Sequence, residues 1–362
     1  MNILLTGMGM ITSVGHDTAT ACASIRAEIS RPKQIAYFQV IDEQSQETVP
    51  LLGFPIQGVS EGFNIVGLWI PLGLMCLNEL LISSSLPLKS DGGFWAETGL
   101  IAVTPSASDS RFGDNGPSPA ALIREAYLDR LIAQFDYPIP DANMDVICIG
   151  HAGTISAIER ASQMITNDRL ARVIILAVDS YLDPITLEWL QDNERLKSPL
   201  NPVGVAPGEA AISLLVESLE SSKARNSVMR LRIGKPALGF EKDNLFSGEL
   251  SQGVGLSKAI SSALLSAGLA LPFPGTVISD MNGEYWRANE LGNVRVRTQN
   301  ELSSAANFSY PAMSVGEIGA ASGALSICVA AKALQRRYAN GQSVLVISSS
   351  ETGEVGAVTI SI

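Results

Sequence analysis

The side chains best able to do chemistry in this chain are few: two histidines and four cysteines in 362 residues. The cysteines are Cys22, Cys76, Cys148 and Cys328. They are scattered without a CxxC spacing, which predicts buried thiols in a reducing compartment and neither a disulfide framework nor a metal site. Two histidines cannot form a histidine-rich metal site. His16 follows an early glycine turn and is interpreted as a solvent-facing or capping residue, whereas His151 precedes a predicted helix.

Strand and helix patterns alternate along the chain, which predicts a layered α/β fold. The predicted strands are Met1–Gly9, Ile35–Val40, Gly99–Thr104, Val146–Ile149, Arg172–Val178, Ala211–Val216, Met229–Ile233, Thr276–Ser279, Ser343–Ser350 and Ala357–Ile362. The predicted helices are Asp17–Ile29, Pro119–Phe135, Thr154–Ile165, Ser251–Ala267 and Gly319–Arg337. The apolar stretch Phe63–Ile82 has the length of a membrane span, but its internal polar residues and proline favour a buried helix.

The second half of the chain repeats the order of the first, which indicates an internal duplication. The corresponding segments are Val173–Asp179 with Val344–Ser350, Gly208–Val216 with Gly353–Ile360, and Thr154–Ile165 with Gly319–Arg337. We therefore predict two halves, residues 1–220 and 228–362. The polar run Glu217–Ser227 is the predicted linker between them.

Three segments resemble the β-ketoacyl synthase branch of the thiolase superfamily. Val178–Pro184 and Asn201–Ala211 are similar to the family's "GGVDS … DGFVLGEGA" signature, and Leu5–Gly15 is similar to its opening "TGMGMVSPLG". The resemblance extends over nearly the whole chain. It implies a thiolase-like fold, in which two pseudo-repeated halves form a five-layer αβαβα sandwich. It also implies that Glu209, in the "GEGA" segment, is a buried residue near the active site.

The same register shows where the family's catalytic Cys-His-His residues would lie. Aligning the helix that follows His151 puts His151 at the cysteine position. Asn282 stands at the histidine of the family's "HGT" motif. The segment Ala312–Gly323 is similar to "KSMTGHLLGAAG", which puts Glu317 at the second histidine, beside Gly316. The family's closing "SFGFGGTN" corresponds to Ser350–Gly356, where Gly353 is retained and the gating phenylalanine is absent.

Because of these replacements, we do not expect the protein to catalyse decarboxylative condensation. Condensation needs a thiolate to hold the acyl group and two neutral donors to stabilise the developing oxyanions. Glu317 would instead place a negative charge beside the developing anion. A shift of three residues would make Cys148 the nucleophile, although the helix pattern then falls out of register, and a buried strand cysteine is the favoured interpretation.

We therefore expect a β-ketoacyl synthase-like protein without condensing activity, which acts as a dimeric scaffold, a chain-length-factor-like subunit or an adaptor for a partner or acyl ligand. The first alternative is an acyltransferase or thioester hydrolase that uses His151, Asn282 and Glu317 as base, amide donor and orienting carboxylate. The second alternative is an active 3-oxoacyl-ACP synthase of fatty acid or polyketide biosynthesis.

The bulk composition narrows the partners that we expect. The net charge of −11 and the absence of a Lys/Arg cluster argue against nucleic-acid binding. Only 17% of the residues are charged, which suits a large apolar interface, so we expect a homodimer or a heterodimer with a related ketosynthase. Acyl carrier protein or acyl-CoA are possible further partners. No dinucleotide, phosphate-loop or metal motif is complete, so we expect no cofactor. The opening MNILLTGMGM lacks a basic n-region and runs into a strand pattern, so we expect a cytoplasmic protein without a membrane span.

Overall fold

The structure is a computed structural model that describes residues 3–42, 45–59, 62–106, 110–112, 119–167 and 169–362. Its strands are β1 (Ile3–Thr12), β2 (Lys33–Ile41), β3 (Thr48–Gly53), β4 (Thr98–Thr104), β5 (Met144–Cys148), β6 (Arg172–Ser180), β7 (Glu209–Ser218), β8 (Leu231–Ile233), β9 (Ala237–Phe240), β10 (Thr276–Ser279), β11 (Asn307–Ser309), β12 (Ser343–Ser349) and β13 (Glu354–Ser361). Its α-helices are α1 (Thr18–Arg26), α2 (Val66–Ser83), α3 (Gly92–Ala96), α4 (Pro119–Ile123), α5 (Asp129–Phe135), α6 (Gly153–Thr166), α7 (Pro184–Asp192), α8 (Leu219–Ala224), α9 (Val254–Ser266), α10 (Tyr285–Arg297), α11 (Ala312–Val315) and α12 (Ser322–Gln335).

The strand order confirms the predicted duplication. The N-terminal strands follow the order β5-β4-β6-β7-β1 and the C-terminal strands the order β11-β10-β12-β13-β8. In each half the first three strands in this order pair in parallel. The fourth strand pairs antiparallel with the third, and the fifth pairs antiparallel with the fourth. The two sets meet where β1 pairs with β8, at Leu4 and Leu5. The hairpin β2–β3 forms a separate sheet outside this repeat.

The core is arranged in the five layers that the resemblance implied. One outer layer packs α2 and α5 against the N-terminal sheet, and the other packs α9 and α10 against the C-terminal sheet. The layer between the sheets contains α6, α12 and α1. Twelve of the fourteen residues of α12 are buried, because this helix has protein on all sides and its small side chains allow close approach.

Helix α2 corresponds to the apolar stretch that was predicted to form a buried helix. Val66–Ser83 is long and apolar enough to cross a membrane by length and composition. Its side chains Leu68, Trp69, Leu72 and Leu77 are buried in the outer core on the N-terminal sheet. The helix is therefore confirmed, and its buried side chains pack within the protein, whereas Ile82 near its end is 80% exposed.

The predicted linker Glu217–Ser227 begins at the end of β7 in the first half and ends shortly before β8 of the second half, and part of it has regular structure. Glu217 is the penultimate residue of β7 and is fully buried, and Leu219–Ala224 forms α8. The Glu217 carboxylate accepts hydrogen bonds from Thr6 (2.6 Å) and Arg225 (2.6 Å), which supply the partners that a buried charge requires. The division into 1–220 and 228–362 stays a prediction.

The central layer contains side chains from both halves, so we expect both sheets to unfold together. Leu325→Ala in α12 should lower the free energy of unfolding by about 3 kcal/mol, because it leaves a cavity between the sheets. Leu265→Ala, the same change at a side chain that is 65% exposed, should cost about 0.5 kcal/mol or less. Urea unfolding combined with hydrogen exchange measures both values. Faster exchange in one sheet alone would contradict a shared core.

Candidate functional site

His151 is held at the entrance to α6 by a short 3₁₀ turn, Gly150–Ala152. The side chain is buried, with 2% of its surface exposed. Ser350, from the other half, supports this turn: its Oγ accepts a hydrogen bond from the Ala152 N–H (2.9 Å) and donates one to the Ile149 carbonyl (2.5 Å). The imidazole Nε2 lies 2.8 Å from Glu317 Oε1. The turn thus points His151 across the boundary between the halves.

Glu317 comes from the equivalent place in the second half, just before the 3₁₀ turn Gly319–Ala321 that leads into α12. Its Oε1 also accepts the Gly319 N–H at 2.6 Å. Burial by itself would raise the pKa of Glu317, but His151, Arg287 and the Gly319 amide outweigh burial and hold this pKa well below its ordinary value of 4.5. Glu317 is therefore an anion at neutral pH.

Asn282 completes a chain of three side chains. It follows β10, and its Nδ2 donates to Glu317 Oε2 (2.5 Å) and to Glu284 Oε2 (3.0 Å). The structure therefore brings together all three residues that the resemblance placed at the catalytic positions. Their hydrogen-bonding groups are directed at one another. A catalytic role for them stays a prediction.

The hydrogen bonds from His151 to Glu317 and Asn282 extend further, to charged residues that the sequence analysis did not identify. Arg195, after α7, makes a two-pronged contact with Glu284 (2.9 and 3.0 Å) and a further hydrogen bond to Glu351 (2.6 Å). Burial raises the pKa of Glu351, and Arg195 more than offsets this effect, so that the pKa falls to about 2. The available signal was Glu351 itself, a charge in the segment where the family has an apolar gate. Tyr181 reaches the same carboxylate at 3.4 Å.

Asp179, the acid of the "VDS" segment, lies near the end of β6 and lines the same small cavity as His151. It accepts hydrogen bonds from Arg111 (3.0 and 3.2 Å) and from the Ala320 N–H (2.9 Å). Burial raises its pKa to about 6 in spite of the Arg111 charge. The Arg111 guanidinium lies 4.4 Å from the centre of the Tyr181 ring.

A third arginine, Arg287, closes the cluster near β12. Its Nη1 donates to the Ser349 carbonyl (2.8 Å) and lies 3.6 Å from Asp280 Oδ1. Asp280 in turn accepts hydrogen bonds from Ser348 Oγ (2.6 Å) and the Ser349 N–H (2.9 Å). We call the whole set the central polar cluster. Its charged members and His151 are Arg111, Arg195, Arg287, Asp179, Asp280, Glu284, Glu317, Glu351 and His151.

Little space remains within this cluster. The cavity lined by Arg111, His151, Asp179 and Glu351 has a volume of about 10 Å³. That is room for about one water molecule. An acyl chain does not fit there without movement of the surrounding side chains.

Cys148, the alternative nucleophile, lies on β5 and not in the central polar cluster. Burial raises the pKa of its thiol above the ordinary value, and a hydrogen bond with Thr104 only partly opposes this. A thiol with a raised pKa carries little nucleophilic thiolate at neutral pH. The structure therefore confirms a strand cysteine, but Cys148 is half-buried, whereas Cys22, Cys76 and Cys328 are buried as predicted. His16 is exposed, and the neighbouring Asp17 caps α1.

Glu209, Gly316 and Gly353, which were predicted to be structural residues near the site, have close packing or hydrogen-bond contacts. Glu209 is fully buried; its Oε1 accepts the Ile56 N–H (2.6 Å) and its Oε2 accepts the Ser180 hydroxyl (3.1 Å). Gly316 has φ +73°, and a Cβ there would lie 2.5 Å from the Phe54 ring. Gly353 has φ +107°, and a Cβ there would lie 2.5 Å from the Glu241 carbonyl. Both glycines therefore permit turns that other residues would strain.

Known proteins resemble this chain in fold and not in sequence. No protein-family model matches the chain, and no curated protein matches it. Solved structures match over its whole length. They include the apo AntDE:AntF complex, in which a type II PKS acyl-carrier protein is bound to its ketosynthase with the hexaketide (TM-score 0.79, 13% identity, 99% of each chain). The ishigamide ketosynthase/chain length factor gives a TM-score of 0.76 at 14% identity, covering 99% of this chain and 98% of that one.

A β-ketoacyl synthase from Burkholderia phymatum STM815 matches with a TM-score of 0.74 at 15% identity, over 99% of each chain. These matches define the class of fold: the chain has the thiolase-like architecture of ketosynthases and chain length factors. They confirm the fold class that the sequence motifs implied. At this level of identity they carry no information about activity.

Glu317→Gln should lower the free energy of unfolding near pH 7 by about 3 kcal/mol, because it removes the buried charge that His151 faces. The folded-state pKa of Glu317 lies below the unfolded value of 4.5, so its contribution is complete above that value and is lost as the pH falls below it. The difference between variant and wild type should therefore shrink between about pH 4.5 and pH 3.

Urea unfolding over this pH range measures the difference. Glu188→Gln, at an exposed glutamate on α7, is the matched control and should follow the wild-type curve. A Glu317→Gln deficit that is the same at both ends of the range would show that the charge of Glu317 does not stabilise the fold.

Proposed function

We propose that this protein is a thiolase-fold subunit without condensing activity, which acts in the cytoplasm as a dimeric scaffold, a chain-length-factor-like partner or an adaptor. The observation that carries the proposal is the hydrogen bond between His151 and Glu317 beside a cavity of only about 10 Å³. The residues at the family's catalytic positions are engaged with one another, and the space for an acyl group between them is filled.

The chemistry of condensation supports this reading. Decarboxylation and carbon–carbon bond formation develop negative charge on thioester oxygens, which neutral or positive donors stabilise. Glu317 is ionised and accepts hydrogen bonds from His151, Asn282 and Gly319. An anion in this position would repel the developing enolate. An imidazole in place of the thiolate would form only a labile acyl adduct.

The assembly that we propose is a homodimer or a heterodimer with a related ketosynthase. In the described part of the chain β5 pairs only with β4 and is the outer strand of the N-terminal sheet. An open edge of this kind can pair with a strand of another subunit. The name of one structural neighbour, a ketosynthase/chain length factor, also pairs a ketosynthase with a second subunit. Acyl carrier protein or acyl-CoA remain proposed ligands of such an assembly.

One observation favours the enzymatic alternative of acyl transfer or thioester hydrolysis. A carboxylate 2.8 Å from an imidazole nitrogen is the arrangement that orients a general base. This mechanism would require the central polar cluster to open, since only 2% of the His151 surface is exposed. An active 3-oxoacyl-ACP synthase would require Cys148 to act, against the raised pKa of its thiol.

Incubation with acyl-CoA and acyl-carrier-protein donors tests the absence of chemistry. We expect intact-mass spectrometry to find no acyl adduct and a thiol assay to find no thioester hydrolysis above buffer. His151→Ala should leave that background rate unchanged. An adduct that maps to His151 or Cys148, or a hydrolysis rate that His151→Ala abolishes, would establish an enzyme and overturn the proposal.

The proposed assembly has its own measurement. Sedimentation equilibrium of the purified chain should give twice the chain mass, or, with a co-expressed related ketosynthase, the mass of a one-to-one complex. Large apolar interfaces persist on dilution, so the mass should not fall at low micromolar concentration. A chain mass that remains monomeric alone and in the mixture would count against a scaffold that works by dimerisation.

A further inference from the structure

One cleft of the molecule shares no residue with the central polar cluster or with the cavity beside His151. We call it the junction cleft, because β1, the start of α1, the end of α2, the segment 225–229 before β8 and the last turn of α12 all contribute to its lining. Its volume is about 620 Å³. This value falls within the range of clefts that hold small molecules.

Hydrogen bonds between the walls hold the junction cleft in shape. The Ser83 hydroxyl, at the end of α2, donates to the Met8 carbonyl of β1 (2.9 Å). Arg225 Nη1 donates to the Ser84 carbonyl (2.8 Å) and so ties the segment before β8 to the end of α2. A cleft with fixed walls loses little conformational entropy when a ligand binds.

Glu79 is the carboxylate held most firmly in this cleft. It is half-buried, its Oε2 accepts the Met10 N–H (2.9 Å) and its Oε1 accepts the Thr18 N–H (3.2 Å). Among the described residues no cationic side chain forms an ion pair with it. Burial raises the pKa of Glu79 above its ordinary value of 4.5, and the Asp17 carboxylate adds to this effect. A bound cation would replace the water that this carboxylate has lost.

The two cations that line the cleft are directed elsewhere. Arg225 Nη2 donates to the buried Glu217 carboxylate (2.6 Å), and its Nη1 is used by the carbonyl at the end of α2. Hydrogen bonds from Thr20 lower the pKa of Asp17, and Lys332 acts in the same direction, so the Lys332 charge offsets that of Asp17. Glu79 is therefore the charge of the cleft that a ligand with one positive group complements.

Neutral hydrogen-bonding groups make up much of the remaining lining. The side chains of Ser84, Ser85, Asn226 and Gln335 line the cleft and make no hydrogen bond to another described residue. Hydroxyl and amide groups both donate and accept hydrogen bonds, so they match the hydroxyl groups of a ligand. A purely hydrocarbon ligand would cover these groups without replacing their bonds to water.

We propose that the junction cleft binds a small primary amine that carries several hydroxyl groups, of the amino-polyol class. The ammonium group lies against the Glu79 carboxylate, and the hydroxyl groups exchange hydrogen bonds with Ser84, Ser85, Asn226 and Gln335. This site goes beyond the proposed function of the protein. It does not depend on whether the protein forms a dimer or catalyses a reaction.

Isothermal titration calorimetry of the full chain with four six-carbon compounds tests the proposal. Glucamine carries an ammonium group and hydroxyl groups, sorbitol lacks the ammonium group, hexylamine lacks the hydroxyl groups, and gluconate carries a negative charge instead. We expect glucamine to bind one-to-one, and about tenfold more tightly than sorbitol or hexylamine. Gluconate should show no saturable binding, because Glu79 repels it.

Three variants test the assigned contacts. Glu79→Gln should weaken glucamine binding by about tenfold and leave sorbitol binding within about twofold of wild type. Lys332→Gln should strengthen glucamine binding by about threefold, because it removes a neighbouring positive charge. Ala19→Trp, on the cleft wall, should weaken binding of both glucamine and sorbitol by about tenfold, because the indole occupies the cleft.

Two matched variants control for general effects of charge and bulk. Glu188→Gln on α7 and Ala288→Trp on α10 make the same changes at exposed positions outside the cleft, and both should bind glucamine within about twofold of wild type. The four compounds on the wild-type chain and Ala19→Trp test the proposal even if Glu79→Gln does not fold.

Four results would each overturn the proposal. They are the absence of saturable one-to-one glucamine binding, gluconate binding as tight as that of glucamine, wild-type affinity in folded Glu79→Gln or Ala19→Trp, and weaker glucamine binding in Lys332→Gln. The thioester assays and the mass measurement above read other properties, so this proposal and the proposed function fail separately.

Discussion

The contact between His151 and Glu317 is the interaction on which the centre of this molecule depends. Each residue comes from one of the two repeated halves, at the turn that leads into α6 or α12. Both are buried, and a buried carboxylate is tolerated only when charges and hydrogen-bond donors replace the water that it has lost. The imidazole, the Asn282 amide and the Gly319 N–H supply those donors. Docking of the halves and stabilisation of this anion are therefore a single event.

The rest of the central polar cluster follows from the same requirement. Glu284 is held by Arg195, which also holds Glu351, and Asp179 is held by Arg111. Each carboxylate of the cluster lies within 3.6 Å of an arginine or histidine nitrogen, whereas among the described residues Arg195 Nη1 and Arg287 Nε and Nη2 have no hydrogen-bond partner. The cavity beside His151 admits about one water. A ligand that entered this space would have to break several of these contacts at once. The space between His151, Asp179 and Glu351 is therefore closed in this structure.

Much of the fold could be predicted from the chain. The alternation of strand and helix patterns and the repeated segments correctly indicated two similar halves, because burial on both faces of parallel strands leaves a strong local signal. The resemblance to β-ketoacyl synthases placed His151, Asn282 and Glu317 near one another, since the register of each motif fixes its position in the fold. The polar composition of Glu217–Ser227 did not indicate that Glu217 is buried. Glu217 is buried and paired with Thr6, which is 211 residues away in the chain, and with Arg225, which is eight residues away. The pairing with Thr6 depends on how the two strands pack.

The sequence by itself determined the repeated α/β architecture and the small-residue central helix, because these depend on periodicity and on local residue identity. Only the tertiary structure decided that Arg195, Glu284 and Glu351 join this site and that the cavity beside His151 admits about one water. These features arise from charges that are far apart in the chain. Their pairing depends on how the two halves and the hairpin pack, and no local pattern encodes that distance.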